Sequence, residues 1–400
     1  MSASVQHYLR PGTLQLPALP SLGVYVHLPW CLKKCPYCDF NSHAVAPGSA
    51  TLPEARYLDA LRADLESALP LVWGRKVSSV FIGGGTPSLF SPQGVARLIS
   101  DLRALLPLEP GIEITLEANP GTFEKDRFKA FAQAGVTRLS IGVQSFDDAA
   151  LQRIGRVHTA DQARAAVQEA SACFETFNID LMYALPGQTV AQWAQDLDTA
   201  LAFEPPHLSV YHLTLEPNTY FATHPPQLPD DDTAADMLDL IVERTATQGL
   251  HRYEVSAFAQ PGHRCRHNLN YWQFGDYLGL GAGAHGKLSF PHRVLRQVRW
   301  REPATYMDEA LRGQAVSNEH EVPRASLPFE FMLNALRLRD GFAEDLFTTR
   351  TGMPASALQA AVTKACEQGL LEPTDGAHGW RPTARGFDFL SDLQALFLPS

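Results

Sequence analysis

The chain has 400 residues, 45% of them hydrophobic and only 19% charged, which is enough apolar mass for one large barrel or for two to three domains with well-buried cores. A formal net charge of −10 and a pI near 5.8 argue against a general electrostatic grip on nucleic acid or anionic lipid. No stretch reaches the roughly 20 uninterrupted apolar residues that span a bilayer, and the start lacks the charged and apolar parts of a secretory signal. Six cysteines, three of them clustered, do not resemble a disulfide framework, so the chain is expected in the reducing cytoplasm.

In chain order, residues 1–22 read as an N-terminal extension, whose apolar, proline-broken part (14–22) leaves a peripheral contact with a partner or membrane surface open. From 23 to 255, short apolar runs alternate with longer amphipathic segments. Strands are expected over 23–28, 79–82, 113–117, 138–143, 178–182 and 207–211, separated by helices such as 54–69, 92–105 and 161–174. Six such units predict an α/β fold, a partial (β/α)6 TIM-like barrel, with polar residues gathered at the carboxyl ends of its parallel strands. A cysteine loop leaves the first strand, Gly83-Gly84-Gly85-Thr86-Pro87 the second, Glu117-Ala118-Asn119-Pro120 the third and Gln144-Ser145-Phe146 the fourth, while Asp180 lies within the fifth. All are expected to face one cleft.

Residues 256–315 are expected to flank the barrel. From 316 to 400 the signals change to a smaller, mostly helical, winged-helix-like unit, with helices over 329–337, 343–349 and 355–368, a hairpin wing around 371–382 and a last helix over 384–396. Such units often bind DNA, but Glu344, Asp345, Glu367 and Glu372 leave no basic recognition face, and no nucleic-acid partner is expected.

Cys31, Cys35 and Cys38 form a C-x3-C-x2-C run. Three thiolates on a four-iron cube leave one iron open to a substrate or cofactor. With His27 or His43 the same thiolates would make a closed Cys3His zinc site, and the cysteines alone leave both readings standing. Cys173, Cys265 and Cys366 read as small core residues.

The stretch Tyr25-Val26-His27-Leu28-Pro29-Trp30-Cys31 through Phe40, with Gly83-Gly84-Gly85-Thr86-Pro87-Ser88, resembles the radical S-adenosylmethionine (SAM) superfamily, and within it the group related to oxygen-independent coproporphyrinogen oxidase. The similarity continues through Gly142-Val143-Gln144-Ser145-Phe146, 179–188 and 279–286. The resemblance favours a [4Fe-4S] cluster on Cys31, Cys35 and Cys38 over zinc. It implies SAM held at the open iron through its amine and carboxylate, where an electron from the cluster can cleave it. It places the SAM contacts at Tyr25, Gly84, Gly85, Thr86, Glu117, Gln144, Arg156 and Asp180. Glycines there would let backbone N–H groups approach the amine and carboxylate closely. The two acidic side chains suit an amine or ribose diol, and the Arg156 guanidinium suits the carboxylate.

Two features narrow the group. Phe40 stands where the oxidases carry a further cysteine, which disfavours the decarboxylating reaction. His267-Asn268-Leu269-Asn270-Tyr271-Trp272 resembles the heme signature of the HemW-type heme chaperones, with His267 a competent iron ligand and the Tyr271 and Trp272 rings suited to porphyrin faces. An aromatic cluster after a histidine is equally what a packed core contains. Nothing in the sequence separates His263, Cys265 and His285 from ordinary cleft residues, and no C-x2-C-H attachment motif occurs.

The resemblance thus implies a chaperone that binds heme, a [4Fe-4S] cluster and SAM and passes heme to acceptor hemoproteins such as respiratory enzymes. A radical enzyme acting on a tetrapyrrole is the alternative. Whether SAM is cleaved or only bound, and whether the chain works as a homodimer, stay open at this level.

Overall fold

Strand alternation assigns two different jobs to the two faces of the central sheet. In the first strand Val24, Val26 and Leu28 lie in the main hydrophobic core, while Gly23, Tyr25 and His27 point to the opposite, inner face. The computed structural model describes residues 8–45, 52–122, 126–374 and 378–399. The six expected strands are present as β1 (Leu22–Leu28), β2 (Val77–Gly84), β3 (Leu108–Ala118), β4 (Arg138–Gln144), β5 (Thr176–Tyr183) and β6 (His207–His212). They pair in parallel in that order. Helices α1 (Glu54–Val72), α2 (Pro92–Leu105), α3 (Arg127–Ala134), α4 (Ala160–Cys173), α5 (Val190–Leu201) and α6 (Asp231–Thr247) connect them, and Ser91, Thr159 and Thr189 cap the starts of α2, α4 and α5.

The sheet is larger than the alternation suggested. Beyond β6, Ala257–Ala259 (β7) pairs antiparallel. On the other edge Asp276–Leu280 (β8) adds a seventh parallel strand beside β1, followed by antiparallel His285–Phe290 (β9), Arg293–Arg299 (β10) and Val316–Glu321 (β11). The two outer edges do not pair among the described residues, so the barrel stays open. The flanking segment 256–315 therefore supplies sheet, and the sheet runs six residues past the boundary at 316. Gly279 in β8 and the wholly exposed, unalternating character of β11 hid both from the pattern.

Inside the barrel lies α7 (Arg266–Trp272), packed against the inner faces of β1, β2 and β8. A second core holds the C-terminal helices Leu327–Ala335, Glu344–Thr351 and Gln359–Glu367 against a three-stranded wing of Phe342–Ala343, Gly379–Pro382 and Leu371–Pro373. The expected last helix is broken into Ala384–Asp388 and Leu390–Ala395. Part of the expected wing turn, 375–377, lies outside the described residues. Leu14 is buried in this second core, and Leu16 donates its N–H to Pro291 O (2.9 Å), so the apolar start is spent in part on the chain's own fold.

The junction of β8 and β9 is held by a buried charge cluster. Lys287 Nζ lies 2.9 Å from Asp276 Oδ1 and 4.1 Å from the Phe274 ring centre, Arg75 Nη2 reaches Asp276 Oδ2 (2.8 Å), and Ser289 donates its N–H to the same oxygen (2.7 Å). Removing one partner of a buried pair leaves a desolvated charge behind. Lys287→Met is therefore expected to lower unfolding stability by about 3 kcal/mol in urea titration; a loss below about 1 kcal/mol would show that Arg75 alone compensates Asp276.

Candidate cofactor and ligand site

The cysteine loop is clamped to the sheet by the glycine run. Gly85 donates its N–H to Leu28 O (2.9 Å), Thr86 to Trp30 O (2.7 Å) and Gly84 to Glu117 Oε2 (3.1 Å). A Cβ on Gly85 would sit 2.6 Å from Trp30 O, and one on Gly84 2.7 Å from Leu28 O at a φ of +128°. All three N–H groups are thus bonded within the protein itself. Trp30–Cys31 pairs with His43–Ala44, and Val45 N–H bonds Cys31 O (2.9 Å), closing the loop at its base.

On that loop Cys31 is buried, Cys35 and Cys38 are half-buried, and all three thiols are free. Burial pushes the Cys31 thiol up, opposed by a hydrogen bond from Thr86 and reinforced by Cys38 and Cys35. A cationic metal cluster reverses that preference, since ligating thiols are deprotonated. Arg156 bridges the loop and the barrel, with Nη2 2.7 Å from Gly142 O and Nη1 3.7 Å from Cys35 Sγ.

The zinc alternative loses its fourth ligand. His27 is buried, with Nδ1 2.9 Å from the Tyr25 hydroxyl and Nε2 2.9 Å from Asn41 O, and burial lowers its pKa to about 4. His43 Nε2 meets Asn41 Oδ1 (3.3 Å). Among the described residues no three His, Cys, Asp or Glu groups gather tightly enough for a single ion. Three thiols spread along one loop with no histidine to complete them fit a cluster with an open iron.

The inner face supplies the acidic groups. Glu117, at the end of β3, is pushed up to about 8 by burial and by Asp180. Burial also raises Asp180, against hydrogen bonds from Asn178 (2.8 Å) and Ser140 (3.1 Å). Two buried carboxylates near each other are costly as anions, and a cationic ligand offsets that cost. The ammonium and sulfonium of SAM are such groups, so this acidic pair fits that cofactor. Gln144 ends β4 in the left-handed region (φ 69°), a strained placement for a non-glycine residue of the sort that clusters at functional sites.

A cavity of about 530 Å³ opens above these groups, within the range that holds small-molecule ligands. Tyr25, Gly84 and Glu117 line it from the strand ends, with Tyr277 on the neighbouring strand and Tyr271 and Trp272 from α7. Phe40 stands on the rim, 61% exposed. Of the remaining expected SAM contacts, Gly85, Thr86, Gln144, Arg156 and Asp180 are not among the residues that line this cavity.

The His-Asn-x-x-Tyr-Trp motif is split by its helix. Tyr271 and Trp272, at the upper end of α7, reach the cavity, whereas His267 sits one turn below, 1% exposed, against Gly23 and Phe81 of the inner face. Its Nδ1 is 2.9 Å from Ser79 Oγ and its Nε2 is 3.0 Å from the Tyr271 hydroxyl, while burial lowers its pKa to about 3. Neither ring nitrogen is available to an iron. His267 thus contacts Tyr271 from below and is not among the residues that line the cavity. Sequence reasoning missed Asn41, whose Nδ2 ties the cysteine loop to Ala282 O (2.9 Å) and Arg301 O (2.8 Å), and it left His285 unassigned although that side chain lines the cavity. No local pattern around Asn41 signals a contact 241 residues away.

Residues 25–200 match the radical SAM superfamily and residues 322–389 the HemN C-terminal domain. The heme chaperone HemW of Haemophilus influenzae is 45% identical over 389 residues, spanning 96% of this chain and 99% of that protein. HemW of Escherichia coli is 44% identical over 382 residues, spanning 95% and 99%. Among solved structures, coproporphyrinogen III oxidase (HemN) from Escherichia coli, a radical SAM enzyme, superposes with a TM-score of 0.79 over 95% of this chain and 90% of that one, at 23% identity. At that identity the likeness shows the fold alone.

Two substitutions test the site. Gly85→Val forces a side chain into Trp30 O, with an expected cost of about 2 kcal/mol and less than half the iron of the unmodified chain after anaerobic reconstitution; full iron loading would mean that the clamp is dispensable. Glu117 holds a proton in the folded state up to about pH 8 that the unfolded chain releases near 4.5, so its contribution favours folding at low pH and is lost as pH rises between those values. Glu117→Gln is expected to gain about 3.5 kcal/mol over the unmodified chain at pH 8 relative to pH 5 in urea unfolding without ligand, and parallel pH profiles for the two would contradict the assignment.

Proposed function

This chain belongs to the HemW heme-chaperone family of radical SAM-fold proteins, and from that premise we propose that it binds heme in the cavity walled by Tyr271 and Trp272 and passes it to acceptor hemoproteins, respiratory enzymes among them. The observation that carries this reading is the cavity of about 530 Å³ whose lining brings Tyr271 and Trp272 of α7 together with Tyr25 and Glu117. Flat aromatic rings suit the faces of a porphyrin. The Trp272 ring is fixed by the Arg337 guanidinium 4.2 Å from its centre, and Arg337 in turn pairs with Glu254 (3.2 Å). The Tyr271 ring meets Tyr277 edge-on at 4.4 Å.

In this reading Cys31, Cys35 and Cys38 hold a [4Fe-4S] cluster whose open iron supplies electron transfer to bound SAM. The chain's own groups orient that cofactor. Glu117 and Asp180 balance its positive charges, Tyr25 covers one face, and the glycine carbonyls, whose N–H partners are already used, are the acceptors suited to an amine. Arg156 holds the cluster loop against β4 through Cys35 and Gly142.

Thiolate ligands require a reducing compartment, which favours the cytoplasm; no helix among the described residues is long and apolar enough to cross a membrane. The tetrapyrrole-enzyme reading is disfavoured by Phe40, which places an apolar ring on the cavity rim where the oxidases have a thiol.

The cluster loop and the aromatic wall belong to different elements, so their losses should separate. The triple variant Cys31→Ala, Cys35→Ala, Cys38→Ala is expected to lose iron–sulfur absorbance while titrating with one heme per chain, and Trp272→Ala to keep the cluster while binding heme roughly tenfold more weakly. Loss of heme binding in a folded triple variant would contradict separate sites, and undiminished binding by Trp272→Ala would remove the α7 wall from the heme site.

A further inference from the structure

The cavity needs a ligand for the heme iron that the signature histidine does not provide. His267 has both ring nitrogens bonded within the fold, to Ser79 and Tyr271. The cavity's other histidine candidates narrow quickly. His27 is likewise bonded at both nitrogens, to Tyr25 and Asn41. His285 is different. It opens β9, its side chain is exposed and lines the cavity, and no hydrogen bond engages either ring nitrogen among the described residues.

Its surroundings favour the neutral, ligating form. Burial on one side lowers the His285 pKa, and Arg296 and Arg301 lower it further, so the imidazole lone pair is free at neutral pH. Of these two cations, Arg296 is bonded to Glu330 Oε2 (2.6 Å) and the Tyr277 hydroxyl (2.7 Å). The Arg301 guanidinium lines the same cavity with no ion pair among the described residues, a charge suited to a carboxylate of the bound molecule. The other basic side chain of the wall, Lys287, is spent on Asp276. Pairing of β9 with β10 fixes the backbone at His285, which sits opposite Val298. The ring is thus carried by a strand held on both sides, by β8 and β10, and it lines the same cavity as Tyr271 and Trp272 of α7.

We propose that His285, and not His267, supplies the imidazole ligand to the iron of heme held in this cavity, with His267 acting as a positioning residue for Tyr271. This inference rests on the heme-binding reading above. Only coordination is involved: an imidazole nitrogen displaces a weakly held ligand of ferric heme, with no change of oxidation state.

The test is a titration of ferric heme into the full chain, His285→Ala, His285→Gln and His267→Ala. Each is checked for fold by circular dichroism and read by visible absorption and by electron paramagnetic resonance. The expected result is one heme per chain with an imidazole-type signal in the unmodified protein, loss of that signal and at least tenfold weaker binding in both His285 variants, and recovery of the signal on adding free imidazole. His267→Ala should keep the imidazole signal while binding more weakly, since only the Tyr271 brace is lost. An unchanged spectrum in folded His285→Gln, or loss of the imidazole signal in His267→Ala alone, overturns the assignment while leaving heme binding intact. No saturable heme binding by the unmodified chain would instead overturn the reading on which it rests.

Discussion

The site depends on how closely two strand ends approach. Because Gly84 and Gly85 carry no Cβ, the end of β2 lies within hydrogen-bonding distance of Leu28 and Trp30, and the backbone of the cysteine loop is fixed by main-chain bonds rather than by side chains. The same glycine run presents Gly84 N–H to Glu117, so the clamp that sets the loop also sets the buried carboxylate. Asn41 then ties the far side of the loop to the turn before β9. The cysteines, the acid and the rim of the cavity are held in one frame.

Around that frame the inner face of the barrel is unusually polar for a parallel sheet. Asp180, Ser140, Asn178 and His207 share one hydrogen-bonded network, in which His207 Nδ1 meets Asn178 Oδ1 at 2.6 Å and Ser140 reaches Asp180 at 3.1 Å, with Glu117 nearby on the same face. Buried polar groups on this scale are tolerable only when each finds a partner: Asp180 accepts from Asn178 and Ser140, and Glu117 accepts from the Gly84 N–H. Helix α7 fills the rest of the interior, and its amphipathic turn divides the signature motif into a buried half that packs and an upper half that faces the cavity.

Much of this was legible in the sequence, for reasons that differ by element. The six parallel strands announce themselves because strands buried on both faces read as short apolar runs, and the cysteine and glycine motifs stand at their carboxyl ends as parallel sheets require. Strand β8 was hidden because its apolar residues are interrupted by Gly279, and β11 because every one of its residues is exposed. The acidic pair Glu117 and Asp180 was noticed because charged residues are out of place in the strands of a parallel sheet. The position of His267 was not, because a motif does not reveal which turn of its helix lies under the sheet. His285 could not be singled out from His263 and Cys265 for the converse reason: what distinguishes it is the lack of a hydrogen-bond partner among the described residues, which only the fold displays.

The central claim is that one cavity brings a heme site to within reach of a cluster loop. A crystal of the reconstituted chain soaked with ferric heme, measured at the iron absorption edge, would locate every iron at once. The account predicts one anomalous peak beside Cys31, Cys35 and Cys38 and a second in the cavity between His285 and the Tyr271–Trp272 wall. A heme peak elsewhere on the surface, with the cavity empty, would contradict it.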